Sequence, residues 1–144
     1  MSPLKSILVV DDEAGIRSLL FDVLSSEGFK VSLAKNGVES LHQMRDRHFD
    51  LLITDIRMPG LNGIELLKKM KEDGRKERVI VMTGDPLDHS DLGKDLHPVF
   101  QLLQKPFQIH SFLDVVFSAL ARSSKQIGRR GTTGRKRAQK CFIN

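Results

Sequence analysis

Short continuous apolar runs alternate along this chain with stretches whose apolar residues recur at helical spacing. That alternation restricts the available folds more than any other feature. The runs occupy 7–10, 51–54, 79–82 and 99–103, with a shorter one around 30–33. Unbroken runs of this length suit strands covered on both faces. Between them, Ile16, Leu19, Leu20, Val23 and Leu24 trace one helix, with Gly28 placed to end it. Val38, Leu41 and Met44 trace a second after the Asn36-Gly37 turn. Ile64, Leu67 and Met70 begin a third after the loop containing Met58-Pro59-Gly60 and Asn62-Gly63. Ile109, Phe112, Leu113, Val116, Phe117 and Leu120 make a closing helix. About five strands and five helices in alternation predict a parallel sheet with helices on both faces. The expected fold is α/β, flavodoxin-like and doubly wound, with strand order 2-1-3-4-5. The stretch 85–98 contains Pro86, Gly93 and Pro98 and is loaded with Asp85, Asp88, Asp91 and Asp95; irregular or mobile structure is expected in part of it.

If the runs are parallel strands, their C-terminal ends share one sheet edge, where ligands of such folds bind. The first run ends in Asp11-Asp12, the third in Asp55, the fourth in Thr83, and the last just before Lys105. Each residue alone has an ordinary explanation. Asp55 could cap a helix or sit in a turn, and Asp11-Asp12-Glu13 could favour a helix N-terminus. Thr83 could be a turn residue and Lys105 a solvated charge. Together they bring carboxylates, a hydroxyl and an ammonium to one edge. Two carboxylates ~4 Å apart repel by about 4 kcal/mol at an effective dielectric near 20, so such a cluster calls for a compensating cation or proton. Oxygen-only ligands favour a hard cation such as Mg2+. The set fits metal-assisted phosphoryl chemistry, with Asp55 the best-placed nucleophile for an aspartyl-phosphate. His42, His48, His89, His97 and His110 are scattered without metal-ligand spacing and are expected to be surface or packing residues.

Length and charge bound the rest. A chain of 144 residues suits one domain. With a single cysteine, Cys141, no intramolecular disulfide can form, and a reducing compartment is expected. No run has signal-peptide or membrane-helix character, so a cytoplasmic location is expected. The net charge of +5 is uneven. Residues 123–144 hold seven of the 23 basic residues and no acid, leaving 16 basic against 18 acidic residues in 1–122, a net of −2. A body of 1–122 with a basic, flexible tail of 123–144, too short for an output domain, is the expected organisation.

Val9-Val10-Asp11-Asp12-Glu13, Asp55-Ile56-Arg57-Met58-Pro59-Gly60-Leu61-Asn62-Gly63, Thr83-Gly84 and Lys105-Pro106-Phe107 together resemble the motifs of response regulator receiver domains of two-component signalling, over about residues 5–121. The resemblance implies that Asp55 accepts a phosphoryl group from a phosphohistidine on a sensor histidine kinase or phosphotransfer protein. It implies Mg2+ (or Mn2+) held by Asp12, Asp55 and the backbone carbonyl of Arg57, with Asp11 on a metal-bound water. Thr83 and Lys105 would bind the phosphoryl oxygens, and the Lys105-Pro106 peptide would be cis. Such a chain is a phosphoacceptor that catalyses its own phosphorylation and dephosphorylation, not an enzyme acting on a separate substrate. It signals by phosphorylation-dependent contacts with a downstream protein.

Some positions depart from or tune the pattern. The family usually has Tyr or Phe three residues before the lysine; here the position is Leu102, with Phe100 two residues earlier. Signal is therefore expected to leave through 85–98. Arg57 and Asp85 occupy the two tuning positions, and an ion pair across the site mouth would slow hydrolysis. Gly84 supplies the small residue required beside the phosphoryl pocket. Two other functions compete with this reading. A basic-tailed regulator associated with nucleic acid would use the tail, which lacks aromatic interleaving before Phe142. An aspartyl-phosphate phosphatase of the haloacid dehalogenase type would need a second Asp where Arg57 stands.

Overall fold

The computed structural model describes residues 4–84, 92–93, 95–121 and 142–143. The expectations for 85–91, Asp85 among them, and for most of the tail lie outside these residues. The elements in chain order are β1 (Ser6–Val10), α1 (Ala14–Ser26), β2 (Lys30–Ala34), α2 (Gly37–Asp46), β3 (Leu51–Asp55), α3 (Gly63–Glu72), β4 (Arg78–Thr83), β5 (Gln101–Gln104), β6 (Phe107–Gln108), α4 (Ile109–Leu120) and β7 (Phe142–Ile143). β1 to β5 form one parallel sheet in the order β2-β1-β3-β4-β5, as the alternation predicts.

The central strands are buried because each side of the sheet has its own core. Side chains alternate across a strand. Ile7, Val9, Leu51, Ile53, Ile80 and Met82 face a cluster containing Ile16, Leu20 and Leu24 of α1 and Phe112, Val116 and Ala119 of α4. Leu8, Val10, Leu52, Val79 and Val81 face the other, with Met44 of α2 and Leu66, Leu67 and Met70 of α3. Gly28, at φ +92°, follows α1 where an L side chain would be strained.

Three details differ from the pattern-based expectation. Val38 is exposed; the buried line of α2 is Gly37, Ser40 and Met44. A Cβ on Gly37 would collide with the Leu61 side chain and carbonyl, so the glycine admits the close approach of the loop. Val99 and Phe100 precede β5 instead of opening it. Phe117 is part-exposed, with its ring centroid 5.9 Å from that of Phe29. Among the described residues, no helix is long and apolar enough to cross a membrane.

A polar brace holds the N-terminal ends of β3 and β4, opposite the carboxyl edge. Arg75 donates to both carboxylate oxygens of Glu77, from Nε at 3.0 Å and from Nη2 at 2.5 Å. It also donates to the carbonyls of Met44 and Arg47, and the Phe49 N–H donates to Glu77. His97 is buried, with Nε2 2.5 Å from the Glu77 carbonyl, as expected of a packing histidine. Burial pushes the Glu77 carboxyl up, but the hydrogen bonds from Arg75 and Phe49 outweigh it and hold the group below its ordinary value of 4.5. A depressed carboxyl stabilises the fold above its unfolded pKa and loses that contribution as pH falls through the folded one. Glu77→Gln is therefore expected to cost about 2 kcal/mol near neutral pH, because charged hydrogen bonds are lost. Urea unfolding at neutral pH and again below the ordinary carboxyl range should show the gap to wild type narrowing at the lower pH. A gap of the same size at both pH values would refute this.

Candidate functional site

Parallel register brings the carboxyl ends of the strands together. Val10 pairs with Thr54 and Asp55 with Met82, so Asp11, just past β1, lies beside Asp55 at the end of β3. Thr83 pairs with Gln104, and the Lys105 N–H donates to the Thr83 carbonyl at 2.7 Å. Lys105 therefore leaves β5 level with the end of β4.

The side chains converge as the strand ends predict. Carboxylate oxygens of Asp11, Asp12 and Asp55 all lie within 4.8 Å of one another. Asp11 and Asp55 are buried, and Asp12 is exposed. Lys105 Nζ donates to Asp11 Oδ2 at 3.2 Å and to Asp55 Oδ2 at 3.4 Å, and stands 3.7 Å from Glu13 Oε1. Thr83 is buried at the end of β4. Asp12, Glu13, Asp55, Arg57, Gly84, Lys105 and Pro106 line a cavity of about 520 Å3 open to solvent. The Lys105-Pro106 peptide is cis. A Cβ on Gly84 would meet open space, which leaves this wall clear.

One ammonium shared among several carboxylates compensates none of them fully. Burial raises the Asp55 carboxyl above its ordinary range, and Lys105 only partly offsets this. Burial likewise raises Asp11, against the Glu13 N–H and Lys105, with the Asp55 charge adding to the rise. Burial lowers Lys105, but the Asp11 and Asp55 charges overcome that and raise it, which secures the ammonium form. The site thus has unmet demand for positive charge and one cation held firmly in place.

Thr54 and Arg17 support the site although no sequence pattern marks them as site residues. Thr54 Oγ1 donates to the Asp55 carbonyl at 2.9 Å, and the Arg57 N–H donates to Asp55 Oδ1 at 3.3 Å. Arg17 Nη1 donates to the Asp11 carbonyl at 2.8 Å, and Asp11 Oδ1 accepts from the Glu13 N–H at 2.9 Å. Gly63, the last residue of the Asp55–Gly63 motif and part of the Asn62-Gly63 loop, opens α3 behind Asp55. Its N–H donates to the Ile56 carbonyl at 2.9 Å, and the Asn62–Glu65 capping box fixes the helix start. A Cβ there would stand 2.5 Å from the Asp55 carbonyl oxygen and 2.8 Å from Ile56 Cα. The obstructing atoms are the Asp55–Ile56 backbone, which cannot yield cheaply, so Gly63→Ala is expected to lose about 1–3 kcal/mol in denaturant unfolding. A wild-type midpoint and slope would show that the loop gives way instead.

Leu102 is half-buried and packs against the core containing Met44 and Leu66. Phe100 does not stand in for the missing aromatic. It lies outside β5, part-exposed, with the Arg78 guanidinium carbon 5.2 Å from its ring centroid.

A sequence profile of the response regulator receiver domain matches residues 7–117. The chain is 39% identical over 113 residues to sporulation initiation phosphotransferase F of Bacillus subtilis, covering 78% of this chain and 90% of that protein. It is 35% identical over 124 residues to the DNA-binding transcriptional regulator NtrC of Escherichia coli, covering 83% of this chain but only 26% of that longer protein. Among solved structures, chemotaxis protein CheY4 of Vibrio cholerae superposes with a TM-score of 0.75 at 26% identity, over 82% of this chain and all of that one. The response regulator TrrA of Thermotoga maritima, solved in complex with Mg2+ and BeF, superposes with a TM-score of 0.72 at 33% identity, over 81% of this chain and all of that one.

Proposed function

The chain belongs to the response regulator receiver domain family, and from that premise we propose that it is a phosphorylation-operated switch with Asp55 as phosphoacceptor. The observation that carries this is the gathering of Asp11, Asp12 and Asp55 around Lys105 at one open cavity. An oxygen of the Asp55 carboxylate forms a bond to phosphorus as the P–N bond of a phosphohistidine breaks. Lys105 stays charged and takes up a phosphoryl oxygen, while the Thr83 hydroxyl donates to another. Thr54 and the Arg57 N–H hold the Asp55 backbone and carboxylate in place as this occurs.

The donor set is all oxygen, partly solvent-facing and under-compensated, which suits a hard divalent cation. Asp12, Asp55 and the Arg57 carbonyl would hold Mg2+ or Mn2+, with Asp11 on a bound water. When bound, the cation would supply charge neutralisation to the carboxylates and the incoming phosphoryl oxygens. The donor in this proposal is a sensor histidine kinase or phosphotransfer protein, and output is contact with a downstream protein. The near-complete coverage of the Bacillus phosphotransferase supports a single-domain relay role. Residues 1–122 would be the receiver unit and 123–144 an appended basic tail.

Incubation with acetyl phosphate and Mg2+ should add about 80 Da, the order of one phosphoryl group, to the intact mass. Chelation of the metal should prevent the adduct. An unmodified mass with metal present would overturn the proposal.

A further inference from the structure

Phe142–Ile143 gives the basic tail an unexpected anchor. These two residues pair antiparallel with β6, Phe107 opposite Ile143 and Gln108 opposite Phe142. β6 is not part of the five-stranded sheet, and β7 is its strand partner among the described residues. It begins two residues after Lys105. The Phe107 side chain is already committed, buried and stacked on Phe112 with centroids 5.5 Å apart and planes 13° from parallel. Gln108 has extended backbone at φ −81° and ψ 145°. What this segment offers outward is therefore main chain in strand conformation, the feature that strand addition uses. Phe142 and Ile143 are strand-favouring and stand in a polar, cationic segment that otherwise favours no regular structure.

We propose that Phe107–Gln108 is a strand-addition site at the rim of the phosphoryl cavity and that this chain's own Phe142–Ile143 occupies it, withholding the edge from extended segments of other proteins. A pairing of two residues is marginal in isolation. Its occupancy rests on the tether, which keeps the segment at high local concentration. A competing strand can therefore displace it.

Cys141, the chain's single cysteine, permits a direct test in the full-length protein. A nitroxide attached there should broaden the amide signals of Phe107, Gln108 and Ile109 and spare those of Glu77 and Arg78 at the far end of the sheet. A Phe142→Pro, Ile143→Pro double variant lacks both N–H groups of β7 and should abolish the broadening and speed amide exchange at Phe107 and Gln108. A free peptide spanning 136–144 should then bind that variant at the same amides, and bind wild type about tenfold more weakly. Three results would each overturn the proposal: no broadening in wild type, broadening that persists in the proline variant, or broadening only between differently labelled molecules, which would place a second copy on the edge. None of these readouts involves phosphorylation, so the outcome is separate from that of the acetyl phosphate experiment.

Discussion

Asp55→Asn is expected to abolish the phosphoryl adduct while leaving the protein folded. The exchange keeps the shape of the side chain and its capacity to accept from the Arg57 N–H. It removes the carboxylate, and with it the group able to form the O–P bond. Intact mass after acetyl phosphate and Mg2+ should equal that of the untreated variant. An adduct retained on the variant would move the phosphoacceptor elsewhere, Asp11 and Asp12 being the nearest carboxylates. The substitution has a second signature. Burial raises the Asp55 carboxyl, so the folded state binds a proton more readily than the unfolded one. A carboxyl raised in this way favours the fold below its unfolded pKa, and that contribution is lost as pH rises through the folded pKa. The wild type thus bears the cost of a buried, under-compensated charge at neutral pH, and the variant does not. A higher Tm for the variant near neutral pH is expected, with the difference shrinking as pH falls through the raised range. A lower Tm at neutral pH would show that the lost Lys105 pairing outweighs the relief.

Lys105→Ala should act in opposite directions on two measurements of one site. The ammonium stands 3.2 Å from Asp11 and 3.4 Å from Asp55. In the proposed mechanism it meets the negative charge developing on the transferred phosphoryl. Losing one such preorganised donor typically costs about 100-fold or more in rate. Phosphorylation by acetyl phosphate, followed by mass against time, should slow by about that factor. Mg2+ binding should strengthen, because the carboxylates lose a competing cation and repel one another more strongly in its absence. A titration of Mg2+ at constant ionic strength checks this. If phosphorylation slows because the variant is misfolded, Mg2+ affinity should fall with it, so the opposite signs distinguish chemistry from collapse. Weaker Mg2+ binding in a folded variant would refute the placement of Lys105 against the acidic group.

Most of the sheet could be read from the chain because β1, β3 and β4 are buried on both faces and carry uninterrupted apolar runs. Readability fell where one face was solvated or a contact was backbone-mediated. Val38 satisfied a helical spacing yet points to solvent, since the turn of α2 against the core is set by Gly37 meeting Leu61. Phe100 continued an apolar run but lies before β5. Gly63 looked like turn chemistry, although its lack of a side chain lets α3 approach the Asp55 carbonyl. Phe142–Ile143 looked like the end of a solvated tail, because strand pairing depends on an available edge far away in sequence.

The sequence by itself determined the alternation of strands and helices along the chain and the identity of the polar residues ending four of the strands. These follow from local periodicity and side-chain chemistry, which neighbouring residues encode. Only the tertiary structure decided that Lys105 is shared among Asp11, Glu13 and Asp55, that Arg17 and Thr54 hold the acidic backbone, and that β6 has a partner in β7. Those are distances between residues far apart in the chain, fixed by strand register and core packing, and no local pattern specifies them.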